Sequence, residues 1–270
     1  MKLGFIGAGN MAGAIIKGFV NKNCVNSSDI YFIRQNKEKQ AQQASELGIN
    51  GCNDYESLIE NSDILFLGVK PVVFPTLLPQ IAKSVKKKNP LVVSMAAGLT
   101  TDSIKEMLGY DAKIIRIMPN VNAAIAMSTT AVCKNEFASD EDLATIKNLF
   151  SSIGLTTEVP ENQFAIFTAI AGCSPAYVYM FIDGLARGAQ KMGMNKQKAL
   201  EIAASAVIGS ASMYAQSNEH PQELVDKVCS PGGTTIEGVT TLEEYKFTAG
   251  VVKAVENSIL KDRELSLIHI

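Results

Sequence analysis

The sequence predicts an α/β domain with a doubly wound parallel sheet, followed by a second domain made only of helices. The first observation is that short apolar runs of strand length alternate with stretches of helical periodicity up to about residue 159. The second is that strand signals stop after Pro160, where long alanine-rich and aliphatic helical patterns begin. We therefore predict two domains, residues 1–159 and residues 160–270.

The individual elements follow from the two hydrophobic periodicities, and the nearly continuous apolar runs are typical of strands covered on both faces. We predict strands at 3–6, 29–33, 63–69, 91–95, 113–118, 128–133 and 156–159. Helices are predicted at 14–20, 37–47, 55–61, 73–87, from 100 onward and at 141–150. The second domain is predicted to have helices at 163–171, 176–192, 195–216, 222–228, 236–244 and 246–263, with a helix break at 172–174 and Asn195 as the cap of the third of these helices.

The composition excludes several classes of protein. The chain has 47% hydrophobic and 19% charged residues, and its 25 Lys and Arg are balanced by 27 Asp and Glu, so no basic excess indicates nucleic-acid binding. Five cysteines without a CxxC pair, and only two histidines, His220 and His269, predict neither a disulfide framework nor a metal site. We expect a cytoplasmic protein without a signal peptide or an apolar run long enough to span a membrane.

A glycine-rich turn joins the first strand to the first helix. Residues 7–12 read Gly-Ala-Gly-Asn-Met-Ala, a G-x-G-x-x-A pattern with a strand before it and a helix after it. Such a pattern allows a tight turn, a close backbone approach to a pyrophosphate and close helix–strand packing. It predicts a Rossmann dinucleotide-binding domain; the alternative is a glycine-rich turn without a ligand. The predicted contacts are Gly7, Ala8, Gly9, Asn10, Met11 and Ala12.

The end of the second strand indicates which dinucleotide fits. NAD sites usually carry Asp or Glu there to bind the ribose 2′-hydroxyl, whereas this chain has Arg34, with Asn36 two residues later. A guanidinium suits a 2′-phosphate. We therefore predict Arg34 and Asn36 as contacts of NADP(H), with NAD(H) as the alternative cofactor. The competing interpretation is that Arg34 is only a surface loop cation.

Ligands of open α/β sheets bind at the carboxyl ends of the strands. Lys70 follows a buried strand, where it would meet a phosphate, an amide or a substrate carboxylate, although an isolated lysine is often surface decoration. Small residues after the strand 91–95 would let a flat nicotinamide ring approach the backbone. We predict further cofactor contacts from Val69, Lys70, Pro71, Met95, Ala96 and Ala97, and a substrate contact from Asn120.

The helices of the second domain predict self-association. The helix 176–192 is apolar over most of its circumference, and a helix of this kind is buried by more than one neighbour. We expect the second neighbour to be another copy of the chain, in a homodimer with entwined helices. The alternative is a self-contained helical bundle.

The run Ser230-Pro231-Gly232-Gly233-Thr234-Thr235 interrupts this helical region and then restarts a helix. Backbone N–H groups at a helix start favour a small anion such as a carboxylate, but the same pattern describes a helix corner with a Ser/Thr cap. His220, before Pro221, is interpreted as a cap or a buried structural residue rather than a proton shuttle. Cys229 is interpreted as a small apolar filler.

Several of these motifs together resemble one enzyme family. The resemblance rests on Gly7–Ala12, Val69-Lys70-Pro71, the run 94–98 (Ser-Met-Ala-Ala-Gly), Ser174-Pro175-Ala176-Tyr177 and the run 230–235, in this order and spacing. On these motifs the chain resembles Δ1-pyrroline-5-carboxylate reductases, over essentially its whole length. It departs from the family at Gly172-Cys173-Ser174-Pro175, where Gly-Ser-Gly-Pro is common.

The resemblance implies an oxidoreductase that uses NADPH to reduce the imine L-1-pyrroline-5-carboxylate to L-proline, the last step of proline biosynthesis. It implies that backbone N–H groups of Gly232, Gly233, Thr234 and Thr235 hold the substrate carboxylate, and that the Thr235 hydroxyl bonds the ring nitrogen. It also implies helix-swapped dimers, often gathered into decamers.

Two other functions are compatible with the motifs. One is another NADP-dependent imine reductase or 3-hydroxyacid dehydrogenase of the same superfamily; such dehydrogenases use a lysine on a long helix, for which Lys191 is the nearest candidate. The other is a non-enzymatic NADP(H)-binding regulator, which would have no use for a second anion-binding turn.

Overall fold

The computed structural model describes residues 1–268, with side chains as far as residue 265, so His269 lies outside the described residues. Contacts divide the chain into two compact units. The first is Met1–Gly172 together with the chain from Ser258 onward, and the second is Cys173–Asn257. The division into domains at 159/160 stays a prediction, and residues 160–172 fall in the first unit because they pack against its sheet.

The first unit is built on one eight-stranded sheet. Its strands are β1 (Leu3–Ile6), β2 (Ile30–Ile33), β3 (Asn50–Gly51), β4 (Ile64–Leu67), β5 (Leu91–Ser94), β6 (Ile114–Met118), β7 (Ser128–Lys134) and β8 (Gly154–Glu158). Their order is β3-β2-β1-β4-β5-β6-β7-β8. The doubly wound topology is confirmed. The sheet is not wholly parallel, however, because β7 runs antiparallel to β6, and the short edge strand β3 was not predicted.

Helices cover both faces of this sheet, and each face has its own apolar core. The helices are α1 (Asn10–Asn21), α2 (Lys37–Leu47), α3 (Tyr55–Glu60), α4 (Phe74–Lys88), α5 (Thr101–Leu108), α6 (Asp140–Ser151) and α7 (Phe164–Phe167). On the face of α1 and α6, Phe5 and Phe66 stack with their ring centroids 4.5 Å apart. Strands β1, β4 and β5 are buried at every position, as their continuous apolar runs predict.

The segment 161–173 is anchored on the sheet by a charge pair. The Arg116 guanidinium lies 3.2 Å from the Glu161 carboxylate and 4.6 Å from the ring centre of Phe164. Thr101 donates to the same carboxylate through its backbone N–H at 2.8 Å and its hydroxyl at 2.9 Å. Arg116 lies inside a strand whose pattern reads as apolar, so the sequence alone did not single it out.

The predicted helix break at 172–174 is wrong. A π-helical segment, Thr168–Cys173, lies between α7 and α8 (Ser174–Lys191) and keeps this stretch helical. Proline at 175 has no N–H, so the carbonyl of Ala171 loses the donor that an α-helix would provide. The Asn120 amide donates to that carbonyl at 3.0 Å, which satisfies it without ending the helix.

The second unit is entirely helical. Its elements are α8, α9 (Lys196–Gln216), α10 (Pro221–Val228), α11 (Thr234–Glu244) and the first half of α12 (Phe247–Ile268). The predicted Asn195 cap of α9 is confirmed, since its side chain accepts from the Lys198 N–H at 3.2 Å. Within this unit large apolar side chains remain exposed, among them Met180 (75%), Met213 (68%) and Ile208 (65%).

One described helical stretch, Glu161–Lys191, is long and apolar enough to cross a membrane. The expectation that no apolar run reaches this length is therefore wrong. Only 22% of its most apolar window is buried inside the chain. Length and composition do not separate a membrane span from a helix that packs on protein, because both need an apolar surface of the same extent.

Candidate functional site

The glycine-rich turn has the geometry of a dinucleotide loop. Gly7 has φ +87°, and a Cβ there would come within 2.8 Å of the Gly68 carbonyl oxygen, so only glycine fits. A Cβ on Gly68 would in turn lie 2.9 Å from the Cβ of Ala12, which is the close helix–strand packing predicted for Ala12. Space is open around Gly9, where an added Cβ would meet nothing within 4 Å. The loop therefore leaves room for a phosphate group beside the start of α1.

A cavity of about 800 Å³ lies at the carboxyl ends of β1, β2 and β4. Of the predicted cofactor contacts, the structure brings Gly7, Ala8, Gly9, Arg34, Asn36, Val69 and Lys70 together on its walls. Lys37 and Lys39 also line it, so cations gather at its β2 side. The Asn36 side chain accepts from the Lys39 N–H at 2.8 Å, which makes it the N-cap of α2. These residues fit a polyanionic dinucleotide.

The remaining predicted cofactor contacts do not line this cavity. Asn10 is exposed, Met11 is half-buried, and Ala12 is buried under the loop. Pro71 begins the turn after β4. After β5, Met95 is half-buried, Ala96 is buried in the core, and Ala97 is exposed. Their contact with a cofactor stays a prediction.

Asn120, predicted as a substrate contact, has its side chain engaged within the protein. The residue is 4% exposed; its amide nitrogen donates to the Ala171 carbonyl, and its amide oxygen accepts from the Thr129 N–H at 3.2 Å. Both hydrogen-bonding ends of the amide therefore serve the structure. The role in substrate binding stays a prediction, and these bonds favour a structural role.

Replacing Asn120 with leucine is expected to lower the free energy of unfolding by about 1–3 kcal/mol, because the buried carbonyl of Ala171 and the partly buried N–H of Thr129 lose their partner. Chemical denaturation measures the change. Asn148→Leu, on the exposed surface of α6, is the matched control and should stay within about 0.5 kcal/mol. If Asn120→Leu were as mild as this control but raised the KM for substrate, the amide would act on the substrate instead.

The turn 230–235 starts a helix without a side-chain cap. Gly233 is the N-cap of α11, Gly232 has φ +66°, and the Gly233 N–H bonds the Ser230 carbonyl at 3.0 Å. Thr234 and Thr235 are the first two residues of the helix, and Thr235 is half-buried. The interpretation as a capped corner therefore fails in one respect, because neither hydroxyl caps the helix. The first backbone N–H groups of α11 point out of the helix end, as an anion site requires.

The other candidate groups have ordinary structural surroundings. His220 is exposed and caps α10, with its Nδ1 accepting from the Gln222 N–H at 3.2 Å, so the cap is confirmed and burial is wrong. Lys191 is exposed in the last turn of α8. All five cysteines are free, and burial raises the pKa of the Cys133 thiol to about 12. Within the described residues no cluster of His, Cys, Asp and Glu could hold a metal ion.

The sequence alone did not single out two glutamines near the cofactor cavity. Gln40, 6% exposed, accepts from the Arg34 backbone N–H at 2.8 Å and donates to the Cys52 carbonyl at 2.9 Å. Gln43 accepts from Arg34 Nη1 at 2.8 Å. A polar residue on an amphipathic helix reads as solvent-facing, and only the position of Arg34 in space shows what these two contact.

Comparison with known proteins gives matches over both units. Residues 161–265 match the family model described as pyrroline-5-carboxylate reductase dimerisation, and residues 2–98 match the model described as NADP oxidoreductase, coenzyme F420-dependent. A curated pyrroline-5-carboxylate reductase from Escherichia coli is 40% identical over 98% of both chains. Pyrroline-5-carboxylate reductase 2 from Homo sapiens is 36% identical, covering 98% of this chain and 84% of its own.

Solved structures agree with this similarity. The Plasmodium falciparum pyrroline carboxylate reductase with NADP bound superposes with a TM-score of 0.89, at 30% identity and 98% coverage of both chains. The enzyme from Streptococcus pyogenes has a TM-score of 0.88 at 38% identity, again over 98% of both chains. On this full-length similarity, together with the glycine loop and the uncapped turn at 230–235, the chain belongs to the pyrroline-5-carboxylate reductase family.

Proposed function

We propose that this chain uses NADPH to reduce L-1-pyrroline-5-carboxylate to L-proline, the final step of proline biosynthesis. The observation that carries the proposal is membership of the reductase family over the whole chain. Lys191 is exposed in the last turn of α8 and gives no support to a 3-hydroxyacid dehydrogenase. We therefore retain the imine as the substrate.

The cavity beside the glycine loop is proposed as the cofactor-binding site. Its open space at Gly9 suits the pyrophosphate, and Arg34 with its neighbouring lysines suits the 2′-phosphate of NADP(H) over the 2′-hydroxyl of NAD(H). Asn36, Lys70 and the small residues after β5 are proposed to line the remainder. When bound, NADPH supplies the hydride that is added to the imine carbon.

The turn at 230–235 is proposed as the substrate-binding site. Backbone N–H groups of Gly232, Gly233, Thr234 and Thr235 would hold the carboxylate, and the Thr235 hydroxyl would bond the ring nitrogen. The C=N double bond becomes a C–N single bond as the carbon takes the hydride and the nitrogen takes a proton. Because a threonine hydroxyl is a weak acid, Thr235 orients the nitrogen and relays a proton from water. Orientation of the imine against the nicotinamide supplies much of the acceleration.

Turnover of the purified protein tests the proposal directly. With NADPH and pyrroline-5-carboxylate, we expect a fall in absorbance at the NADPH maximum and equimolar formation of proline. A non-enzymatic NADP(H)-binding regulator would bind the nucleotide and leave it reduced. Failure to oxidise NADPH at micromolar protein would exclude the reductase function.

The helical unit self-associates, and a helix-swapped homodimer, further gathered into a decamer, is proposed as the form. The exposed apolar side chains of α8 and α9 support it, since a second copy would remove them from water. Domains at 1–159 and 160–270 are proposed as the nucleotide-binding and dimerisation parts. A cytoplasmic location is proposed from the five free cysteines.

Light scattering is expected to give at least twice the 29.0-kDa mass of the chain. Ile208→Glu, on the exposed apolar surface of α9, should shift the mass toward the monomer because a carboxylate would be buried in the interface. Gln216→Glu, at the exposed end of the same helix, is the control and should keep the assembly. A monomeric mass for the unmodified protein would contradict the dimer.

A further inference from the structure

Helix α2 holds the proposed phosphate-binding residue through two glutamines one turn apart. Gln40 fixes the backbone of Arg34, because its buried amide bridges the Arg34 N–H and the Cys52 carbonyl. Gln43 fixes the other end of the same residue, since its Oε1 accepts from the guanidinium Nη1 at 2.8 Å. Helix α2 thus holds both the backbone and the guanidinium of Arg34.

Gln43 lies between α2 and α1, beside a second cavity. Gln43 lines this second cavity, of about 600 Å³, which shares Ala8, Gly9, Arg34 and Lys39 with the cofactor cavity. A Cβ on Gly13 of α1 would lie 3.4 Å from Gln43 Nε2, an ordinary contact distance, so the amide lies close to α1. Arg34 therefore lines both cavities, and Gln43 contacts its guanidinium from the second one.

A neutral acceptor has a specific consequence at this position. The guanidinium has five N–H donors, of which Gln43 takes one, and the arginine keeps its full charge because glutamine is uncharged. A carboxylate in the same place would also orient the guanidinium but would neutralise it and repel a phosphate. An arginine without any acceptor would keep its charge and have to lose rotamer freedom when the phosphate binds.

We propose that Gln43 is a positioning residue for nucleotide selectivity, which presents Arg34 to the 2′-phosphate of NADP(H) and contributes nothing to NAD(H) binding. The inference rests on the proposed function only for the nucleotide in the cavity. It concerns this chain's own helix α2 and adds a residue that does not itself have to touch the ligand.

Titration calorimetry of the full-length protein with NADP⁺ and with NAD⁺ tests this inference. Gln43→Met keeps the length of the side chain and removes the acceptor. We expect Kd for NADP⁺ to rise about 3- to 10-fold, because the Arg34 side chain then loses rotamer freedom when the nucleotide binds. Gln43→Glu should raise it further, by about 10- to 100-fold, since the charge of Arg34 is then offset. In both variants Kd for NAD⁺ should stay within about twofold.

Two controls separate positioning from a general effect on the fold. Gln42→Met makes the same substitution one residue earlier on α2, where the amide bonds Glu46 rather than Arg34, and should leave both affinities unchanged. In an Arg34→Ala background, Gln43→Met should have no further effect on NADP⁺, because it acts only through the arginine. Equal weakening of both nucleotides, or a full additional loss without Arg34, would overturn the inference.

Because binding is measured, the outcome does not depend on the reaction. If Gln43→Met weakens the binding of NADP⁺ but not of NAD⁺, and the protein does not reduce pyrroline-5-carboxylate, the proposed function fails and the role of Gln43 stands. If it reduces the imine and Gln43→Met leaves the NADP⁺ to NAD⁺ ratio unchanged, the role of Gln43 fails alone. Binding of neither nucleotide would overturn both.

Discussion

Replacing Thr235 with valine is expected to lower kcat for imine reduction by about 10²-fold or more, the usual scale for losing a positioned proton-transfer group. Valine has the shape of threonine without its hydroxyl, so the start of α11 and its backbone N–H groups should remain. The KM for pyrroline-5-carboxylate should change much less than kcat, because the carboxylate is proposed to bind those N–H groups. Steady-state kinetics at saturating NADPH measures both constants.

Thr240→Val is the matched control, because this hydroxyl lies on the same helix and bonds only local carbonyls, such as that of Ile236 at 3.0 Å. It should keep kcat within about twofold. Full activity in Thr235→Val would remove the hydroxyl from the reaction. If Lys191→Ala abolished turnover at the same time, a hydroxyacid-dehydrogenase type of site would replace the one proposed.

Replacing Arg34 with aspartate is expected to raise Kd for NADPH by about 10²- to 10³-fold, because charge-assisted hydrogen bonds worth about 1.5–3 kcal/mol each are lost and replaced by repulsion. Kd for NADH should change little or fall, since a carboxylate at the end of β2 is suited to the ribose 2′-hydroxyl. The ratio of the two constants, from fluorescence titration, is the deciding quantity.

Lys22→Asp makes the same reversal of charge on the exposed end of α1 and serves as the control for long-range electrostatics. It should shift the two constants together and by less than about threefold at physiological salt, where distant surface charges are screened. Equal losses of NADPH and NADH binding in Arg34→Asp would contradict a contact between Arg34 and the 2′-phosphate. Arg34 would then be a structural part of the turn after β2.

Local sequence signals predicted most elements of the first unit. Strands β1, β4 and β5 are short apolar runs. Each strand or helix segment also shows its own hydrophobic periodicity, which does not depend on distant residues. Caps such as Asn195 and His220 were predicted for the same reason, since a cap bonds a backbone group only two or three residues away. The errors lie where a distant residue decides the structure.

The stretch 172–175 is the clearest of these errors. Glycine and proline in sequence favour a break, and the π-helical segment persists because Asn120, 51 residues away, satisfies the carbonyl that proline leaves without a donor. The antiparallel direction of β7 is a second error of this kind, because the pattern of an apolar strand does not show in which direction the strand runs. The charge pair of Arg116 and Glu161 joins residues 45 apart in the chain.

By itself the sequence determined the class of fold, the glycine loop, the cation at the end of β2 and the family, because periodicity, backbone-permissive residues and motif spacing are properties of the chain. Only the tertiary structure decided that the Asn120 amide is engaged within the protein, that α11 starts without a side-chain cap, and that Gln43 holds Arg34. The reason is physical: a polar side chain's role depends on which donors and acceptors folding brings within about 3 Å of it, and no local pattern records that distance.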